Sequence, residues 1–513
     1  MTTRRHFNRE VLTGLAVASF PFTRSAVAAA SNTTFAHGVA SGDPLDDRVV
    51  LWTRVTTSKD VPVRWWIATD DRFRNVVNRG ETMAFAAHDH SVKVDAAGLE
   101  PARTYYYKFA AGREESPVGR TRTLPGATVS RVRLAVASCA NYPFGYFNAY
   151  ARIAAREDLD AVLHLGDYYY EYAPGTYGNG AEFGRVPAPA RELVSLADYR
   201  ERHAQYKSDP DLQEAHRVHP WITVWDDHET ANNSYRDGAQ NHNPENGEGD
   251  WPTRKAAAIR AYYEWMPIRE QPGTRDRTFR SFRYGDLVDL VMLDARLYGR
   301  TAPVANAKDA AGLADPARTI LGAEQQAWLA EELRTSRARG AAWRVLGNQC
   351  MLGQLIDNET NAIANPDQWD GYPFSRRAVL EQLAGEKIVD NVVVTGDIHS
   401  CWALDVALDP FSAGYDPVTG KGSLAVEMIT PAVSSPSPFG RDPDVLGREA
   451  RTIDRPHIHW VEFRSNGYLV VDLTTERARG EWWLLDTVSR RGADEHLAAA
   501  FETPRGANHL TKA

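Results

Sequence analysis

Five short stretches place acids, amides, imidazoles, a thiol and a phenol directly after apolar runs. They are Cys139 in "VASCANY", Asp167 and Tyr170 in "HLGDYYYEY", Asp226, Asp227 and His228 in "VWDDHETANN", Asn348 and Gln349 in "LGNQ", and Asp397 with His399 in "VVTGDIHS". A carboxylate at a buried strand end is expensive unless it is paired or coordinated, and one shared metal centre would satisfy several at once. Singly, each has an ordinary structural reading: a lone Asp caps a turn, His228 is a satisfied core histidine, Cys139 is a small buried hydrophobe, and the tyrosines pack. The conjunction decides the matter, because "GD", "DDHE" and "GDIH" each terminate an apolar run, in that order. These residue types together point to metal binding. A G-x-S-x-G nucleophile turn and an H-E-x-x-H pair are both absent, so neither serine hydrolysis nor zincin chemistry has support.

The elements that must position these residues follow from periodicity. From Val132 onward, apolar strands ("RLAVASC", "AVLHLGD", "WITVWDDHE", "DLVDLVMLDAR", "WRVLGNQ", "NVVVTGDIHS") alternate with helical stretches ("FNAYARIAARED", "DYRERHAQYKSD", "TRKAAAIRAYYEWMP", "LGAEQQAWLAEELRTSRARG"). That alternation implies a layered α/β core, in which ligands at carboxyl ends of strands converge on one edge. The stretch "HIHWVEFRSNGYLVVDLTTERARGEWWLLDTV" reads as three further strands. Residues 35–125 instead alternate at strand spacing throughout, which predicts a small antiparallel sandwich. There "GLEPARTYYYKF" looks like a fibronectin-type-III turn and strand, and "TLPGATVS" reads as the linker that follows. The insert "DGAQNHNPENGEGDWP", residues 237–252, is rich in Asn, Gly and acids and reads as a rim or lid.

At 513 residues, two folded units are expected, here residues 31–125 and 126–513 after a leader of residues 1–30. The net charge of −8 excludes an extended basic surface for nucleic acid. The leader begins "MTTRRHFNRE", with Phe7 placed after the arginine pair, and continues through a short apolar segment to "AVA". This is the order of an export signal of the twin-arginine type, too short to cross a bilayer as a helix. The expectation is a periplasmic or secreted protein, carried by the twin-arginine translocase already folded and often with metal loaded, and without a transmembrane segment. Three cysteines, Cys139, Cys350 and Cys401, exclude a disulfide scaffold. Cys350 and Cys401 each follow a motif strand, so a disulfide between them and two free buried thiols both stay open.

The ordered series "SC…GDYYYEY…WDDHE…LGNQ…GDIHS" resembles the PhoD-type alkaline phosphatases of the calcineurin-like metallophosphoesterase superfamily. "HGVASGDPLDDRVVLWTRV", "LDARLYG", "LGAEQQAWL" and "SSPSPFG" extend the resemblance over nearly the whole chain. It implies a double β-sandwich flanked by helices and preceded by a small all-β domain. It also implies hydrolysis of phosphomonoesters and phosphodiesters by a metal-activated hydroxide at a ferric ion with one or two calcium ions. By this resemblance Asp167 bridges the metals, while Cys139, Tyr170, Asp397 and His399 surround the iron. Asp227 stands where the wider superfamily has Asn, and His228 protonates the leaving group. Asn232 or Asn233 then offers a neutral oxygen to calcium. Phenolate and thiolate suit trivalent iron, carboxylates and amides suit calcium, and Tyr170 can turn back to the ion that Asp167 holds while Tyr168, Tyr169 and Tyr172 pack around it. Arg254 and Arg296 are candidate phosphate clamps, each equally readable as an ion-pair residue. Two other readings accompany this one: a phospholipase-D-like enzyme acting on phospholipids, which an exposed aromatic rim would favour, and a non-catalytic cell-surface binding protein, against which the intact Asp167, His228, Asp397 and His399 stand.

Overall fold

Two β-sheets face each other across the main core, and helices cover both outer faces. The computed structural model describes residues 34–270, 276–356, 363–440 and 442–513. The expected export signal lies outside the described residues. The larger sheet has ten strands. In spatial order they are Thr511–Lys512, Glu495–Pro504, Arg477–Leu485, Gly467–Thr474, Arg131–Ala137, Ala161–His164, Pro220–Thr223, Val39–Gly42, Arg48–Arg54 and Ser91–Ala97. The second sheet has seven: Arg280–Tyr284, Val288–Met292, Trp343–Asn348, Asn391–Thr395, Ser423–Ile429, Cys401–Ala407 and Ile458–Glu462.

Each sheet has a parallel centre with antiparallel flanks. These central strands are fully buried, short and rich in Val, Leu, Ile and Ala, as strands covered on both faces must be. Between the sheets, Leu134, Val136, Leu163 and Ile222 meet Leu290, Val345, Val392 and Met428. Helices Asn148–Ala155, Leu196–Lys207, Pro210–Val218 and Trp251–Trp265 cover the ten-stranded sheet, and Gly322–Arg339 with Pro373–Gly385 cover the other. Leu196–Lys207 starts cleanly because Ser195 and Asp198 form a reciprocal capping box. No helix among the described residues is long and apolar enough to cross a membrane.

Two features differ from the sequence reading, and a third settles a choice it left open. First, residues 35–125 do form a sandwich, with Val49, Leu51 and Val92 packed against Val63, Ile67, Tyr107 and Phe109, but it is continuous with the rest of the fold. Val39–Gly42 pairs in parallel with Pro220–Thr223, so this strand and its two antiparallel neighbours complete the ten-stranded sheet. The second layer of that sandwich is a separate five-stranded sheet of Val61–Ala68, Val76–Ala84, Thr104–Ala111, Glu114–Glu115 and Gly119–Arg122. Alternation announces a strand but not its partner. Second, the three strands expected near the end are divided: Ile458–Glu462 edges one sheet, and the next two join the other, followed by the unanticipated Glu495–Pro504. Third, all three cysteines are free and buried. The strands leading to Cys350 and starting at Cys401 are separated by two others, about 14 Å of sheet, which is too far for a disulfide.

Candidate metal centre

The parallel strands of both sheets deliver their carboxyl ends to one edge, and the backbone there is tightly constrained. Of thirteen non-glycine residues with positive φ among those described, five are here: Cys139 at 61°, Asp167 at 53°, Asn233 at 51°, Asp397 at 62° and His399 at 53°. Each such conformation costs about 1 kcal/mol, and their concentration marks a place where side-chain direction outweighs local comfort. Gly166 shows how close the strands come. A Cβ there would lie 2.3 Å from Asp226 Cβ, and its φ of 101° also demands glycine.

Glu229 ties two of these strand ends together. Its carboxylate accepts the backbone N–H groups of Asp167 at 3.0 Å, Tyr168 at 2.6 Å and Asp226 at 2.8 Å. Burial, with the nearby Asp167 charge, pushes this carboxyl up to about 8.

Side chains with donor atoms then fall into three overlapping groups, each with one ligand atom per residue within 4.8 Å of the others. They are Cys139, Asp167 and His399; Asp167, Asp227 and His228; and Asp226, Asp227 and Asp397. Asp167 links the first group to the second, and Asp227 links the second to the third. The Tyr170 hydroxyl lies 2.9 Å from both Asp167 Oδ2 and His399 Nε2 and accepts from Ser435 at 2.7 Å. His399 Nδ1 donates to the Pro436 carbonyl at 3.0 Å, which fixes the tautomer and turns the Nε2 lone pair toward the cluster. Burial, helped by the Asp167 charge, holds the Cys139 thiol well above its ordinary range; a cation beside it reverses that preference. Asp167 Oδ1, Asp226 Oδ2 and Asp227 Oδ1 are buried without hydrogen-bond partners. Of the three, Asp227 Oδ1 has an ion-pair contact, Arg296 Nη2 at 3.6 Å; buried polar atoms are normally satisfied, so three carboxylate oxygens without hydrogen bonds in one cluster fit a cation site.

Arg296 is brought to this cluster, but not as a phosphate clamp. Its guanidinium is fully buried and bonds Asp226, Asp367 at 2.7 Å and Asp397 at 2.6 Å. It holds carboxylates in place and has no edge left for a substrate. Gln368 takes the other Asp397 oxygen at 2.5 Å, so Asp397 sits with Asp226 and Asp227 rather than in the Cys139 group. Arg254 is not at the site. Its buried guanidinium is spent on Glu192, Glu248 and the Asn241 carbonyl, beneath the 237–252 insert. Asn348 and Gln349 are also structural: Trp369 donates to Asn348, and Gln349 brackets the backbone of Leu293 and Ala295.

His228 stands on the rim of this cluster with its ring centroid 4.2 Å from that of Tyr170. Its Nδ1 lies 2.7 Å from Glu171 Oε2, which leaves Nε2 for the cleft that His228 lines. Glu171 is itself held at Oε1 by the Asn232 backbone at 2.8 Å and by Asn241 Nδ2 at 2.9 Å. The insert therefore reaches the partner of the imidazole, and Arg254 anchors the insert. Asn232 gives its amide nitrogen to Gln240 at 2.7 Å, and the Asn233 N–H braces Asp227 at 2.5 Å. Glu171→Gln is expected to lower kcat about tenfold to a hundredfold while metal content stays unchanged, as read by steady-state kinetics beside metal analysis. Glu171, Glu229, Gln368 and Asp367 carry no motif of their own; only the placement of the two glutamates inside "GDYYYEY" and "DDHE" could have drawn notice.

Above the cluster opens a cleft of about 1760 Å³. Its floor is Asp167, Asp227, His228, Asn232, Asn233, Asp397 and His399, and its walls include Phe144, Tyr177, Phe183, Phe439 and the cations Lys308, Arg448 and Arg455.

Known proteins resemble this chain over most of its length. Residues 134–482 match the family model for the PhoD-like phosphatase, and residues 22–125 match that for its N-terminal domain. Alkaline phosphatase D from Bacillus subtilis (strain 168) is 36% identical over 509 residues, covering 94% of this chain and 83% of that protein. A solved structure of PhoD, also 36% identical, superposes with a TM-score of 0.85 over 94% of this chain and 92% of that one. With both modules matched and an α/β sandwich in common, this chain belongs to the PhoD-like phosphatase family and is a phosphoric ester hydrolase.

Proposed function

We propose that this chain hydrolyses phosphomonoesters and phosphodiesters at a centre of iron and calcium, with iron on the side of Cys139, Tyr170 and His399 and calcium on the side of Asp226, Asp227 and Asp397. The observation that carries the reading is the run of donor groups joined through Asp167 and Asp227, with carboxylate oxygens without hydrogen bonds at its middle. Thiolate, phenolate and imidazole suit iron, and an all-carboxylate set suits calcium. Asn232, its amide nitrogen already engaged, keeps a carbonyl oxygen for calcium.

Bound there, the ions supply positive charge to phosphoryl oxygens and acidify water. The chain's own groups do the rest. His228 carries the proton for the departing alkoxide. Burial opposes charge on this imidazole, but Asp227 and Glu171 outweigh it and raise its affinity for the proton well above the ordinary histidine range. Glu171 fixes the ring orientation, Arg296 keeps the carboxylates apart and aimed, and Lys308, Arg448 and Arg455 draw anionic esters into the cleft.

Metal analysis with visible absorption spectroscopy tests this directly. Stoichiometric iron, calcium and a broad phenolate-to-iron band are expected, with the band lost in Tyr170→Phe. Zinc or manganese without that band overturns the ferric centre and leaves the tyrosines as packing residues.

A second reading has one specific support: the aromatic wall of Phe144, Tyr177, Phe183 and Phe439 offers apolar contact to a bulky substituent. A phospholipid diester would use it, and a higher kcat/KM for long-chain than for short-chain phosphocholine diesters decides for that substrate. We also propose export by the twin-arginine route to the periplasm or beyond, on the strength of "TRRHFNR"; Arg4→Lys with Arg5→Lys, followed by cell fractionation, tests it.

A further inference from the structure

Far from the phosphoesterase centre, two imidazoles and a buried carboxylate converge on the opposite reach of the seven-stranded sheet. Asp405 lies in the strand Cys401–Ala407, which starts at the catalytic edge and runs away from it, so Asp405 is about 13 Å beyond Cys401. His459 comes from the neighbouring edge strand Ile458–Glu462. The register between these two strands shifts at Ala403/Leu404, and that irregularity sets where the imidazole falls. His509 arrives from the other sheet, just before its strand Thr511–Lys512. Gly420 makes room for it: a Cβ there would meet His509 Cβ at 2.3 Å, and its φ is 68°.

One donor atom from each of the three residues lies within 4.8 Å of the others. His509 Nδ1 is 2.6 Å from Asp405 Oδ2, and His459 Nε2 is 3.1 Å from Asp405 Oδ1. Ligands of a tetrahedral ion at Zn–N distances near 2.0 Å are separated by about 3.3 Å, so the His459 contact already has that spacing, and the shorter His509 hydrogen bond would open by about 0.7 Å to admit an ion. Hydrogen bonding does not account for all of it. His459 Nε2 is shut off from solvent and pairs with Asp405 Oδ1 at 3.1 Å, but off the axis of a well-formed hydrogen bond. A buried imidazole nitrogen that meets a carboxylate off-axis gains less from a hydrogen bond than from sharing an ion with it. The Asp405 carboxylate is oriented from behind by the Tyr415 hydroxyl at 2.9 Å and the Leu510 N–H at 3.0 Å, as ligating carboxylates commonly are.

We propose that Asp405, His459 and His509 form a second metal site, separate from the catalytic cluster, that takes a divalent transition ion such as zinc. Two imidazoles and one carboxylate suit zinc and disfavour calcium, which prefers an all-oxygen set. The ion would staple the seven-stranded sheet to the last strands of the ten-stranded one, a structural role that leaves the hydrolytic reaction untouched.

The test uses the folded, metal-loaded enzyme dialysed against zinc chloride, with metal content read by plasma mass spectrometry. Wild type is expected to take up one more zinc per chain than His459→Gln, with phosphoester hydrolysis before dialysis equal in the two. Equal zinc uptake overturns the proposal. His509→Gln replaces the first variant if circular dichroism shows that His459→Gln does not fold. Cobalt(II) titration of the wild-type enzyme needs no variant: a tetrahedral visible band that saturates at one equivalent and is bleached by zinc is expected, and its absence also overturns the site.

Discussion

Asp167→Asn is expected to abolish nearly all phosphoester hydrolysis, with kcat/KM falling about a thousandfold or more, and to release metal from the purified protein. Asp167 is the side chain shared by the Cys139–His399 group and the Asp227–His228 group. An amide keeps one oxygen but removes the negative charge, so both sides of the centre lose a ligand at once. The fold itself should survive. Glu229 grips the backbone N–H of Asp167, not its carboxylate, and that link is intact in the amide. Metal content, circular dichroism and steady-state rates on one preparation decide the point. A variant that keeps its metals and more than about a tenth of the wild-type rate would show that Asp167 is not the common ligand.

His228→Gln tests the proton rather than the metal. A positioned general acid contributes about 10²- to 10⁴-fold, and only when the leaving group needs the proton. Alkyl phosphates should therefore lose activity across that range, while aryl esters with strongly acidic phenols should lose far less. A uniform loss for both kinds of ester would assign His228 to metal binding or packing instead. The Glu171 contact supports the acid role, because it holds one nitrogen and leaves the other facing the cleft.

Much of the candidate site was legible in the sequence because donor residues at the ends of apolar strands carry their own context. Cys139, Asp167, Asp227, Asp397 and His399 could be picked out because each interrupts a hydrophobic run, and parallel strands bring such interruptions together. Residues that act through others gave no such signal. Arg254 and Arg296 are both arginines in helical or loop surroundings, and only tertiary structure separates the one that braces the insert from the one that braces the carboxylates. Glu171 and Glu229 were visible as letters inside the motifs, but their targets are an imidazole 57 residues away and backbone amides 61 and 62 residues away. Asn348 and Gln349 show the converse: a strand end can look like a ligand pair and yet be occupied with neighbouring loops. Asp405, His459 and His509 share no motif, since their partnership depends on sheet register and on a strand arriving from the other layer.

The parallel pairing of Val39–Gly42 with Pro220–Thr223 bears on how this enzyme can be assembled and divided. Pro220–Thr223 leads directly into Asp226, Asp227 and His228, so the strand that presents half of the centre depends on a segment made some 180 residues earlier. A chain beginning after the first hundred or so residues would leave that strand as an open edge, unpaired and apolar, ready to recruit a foreign strand. The N-terminal portion is thus no detachable accessory: shuffling it between relatives, or trimming it for expression, would alter the catalytic strand itself. Folding is constrained likewise, because this sheet is complete only when early and late parts of the polypeptide have both been made, which favours assembly after synthesis over growth domain by domain.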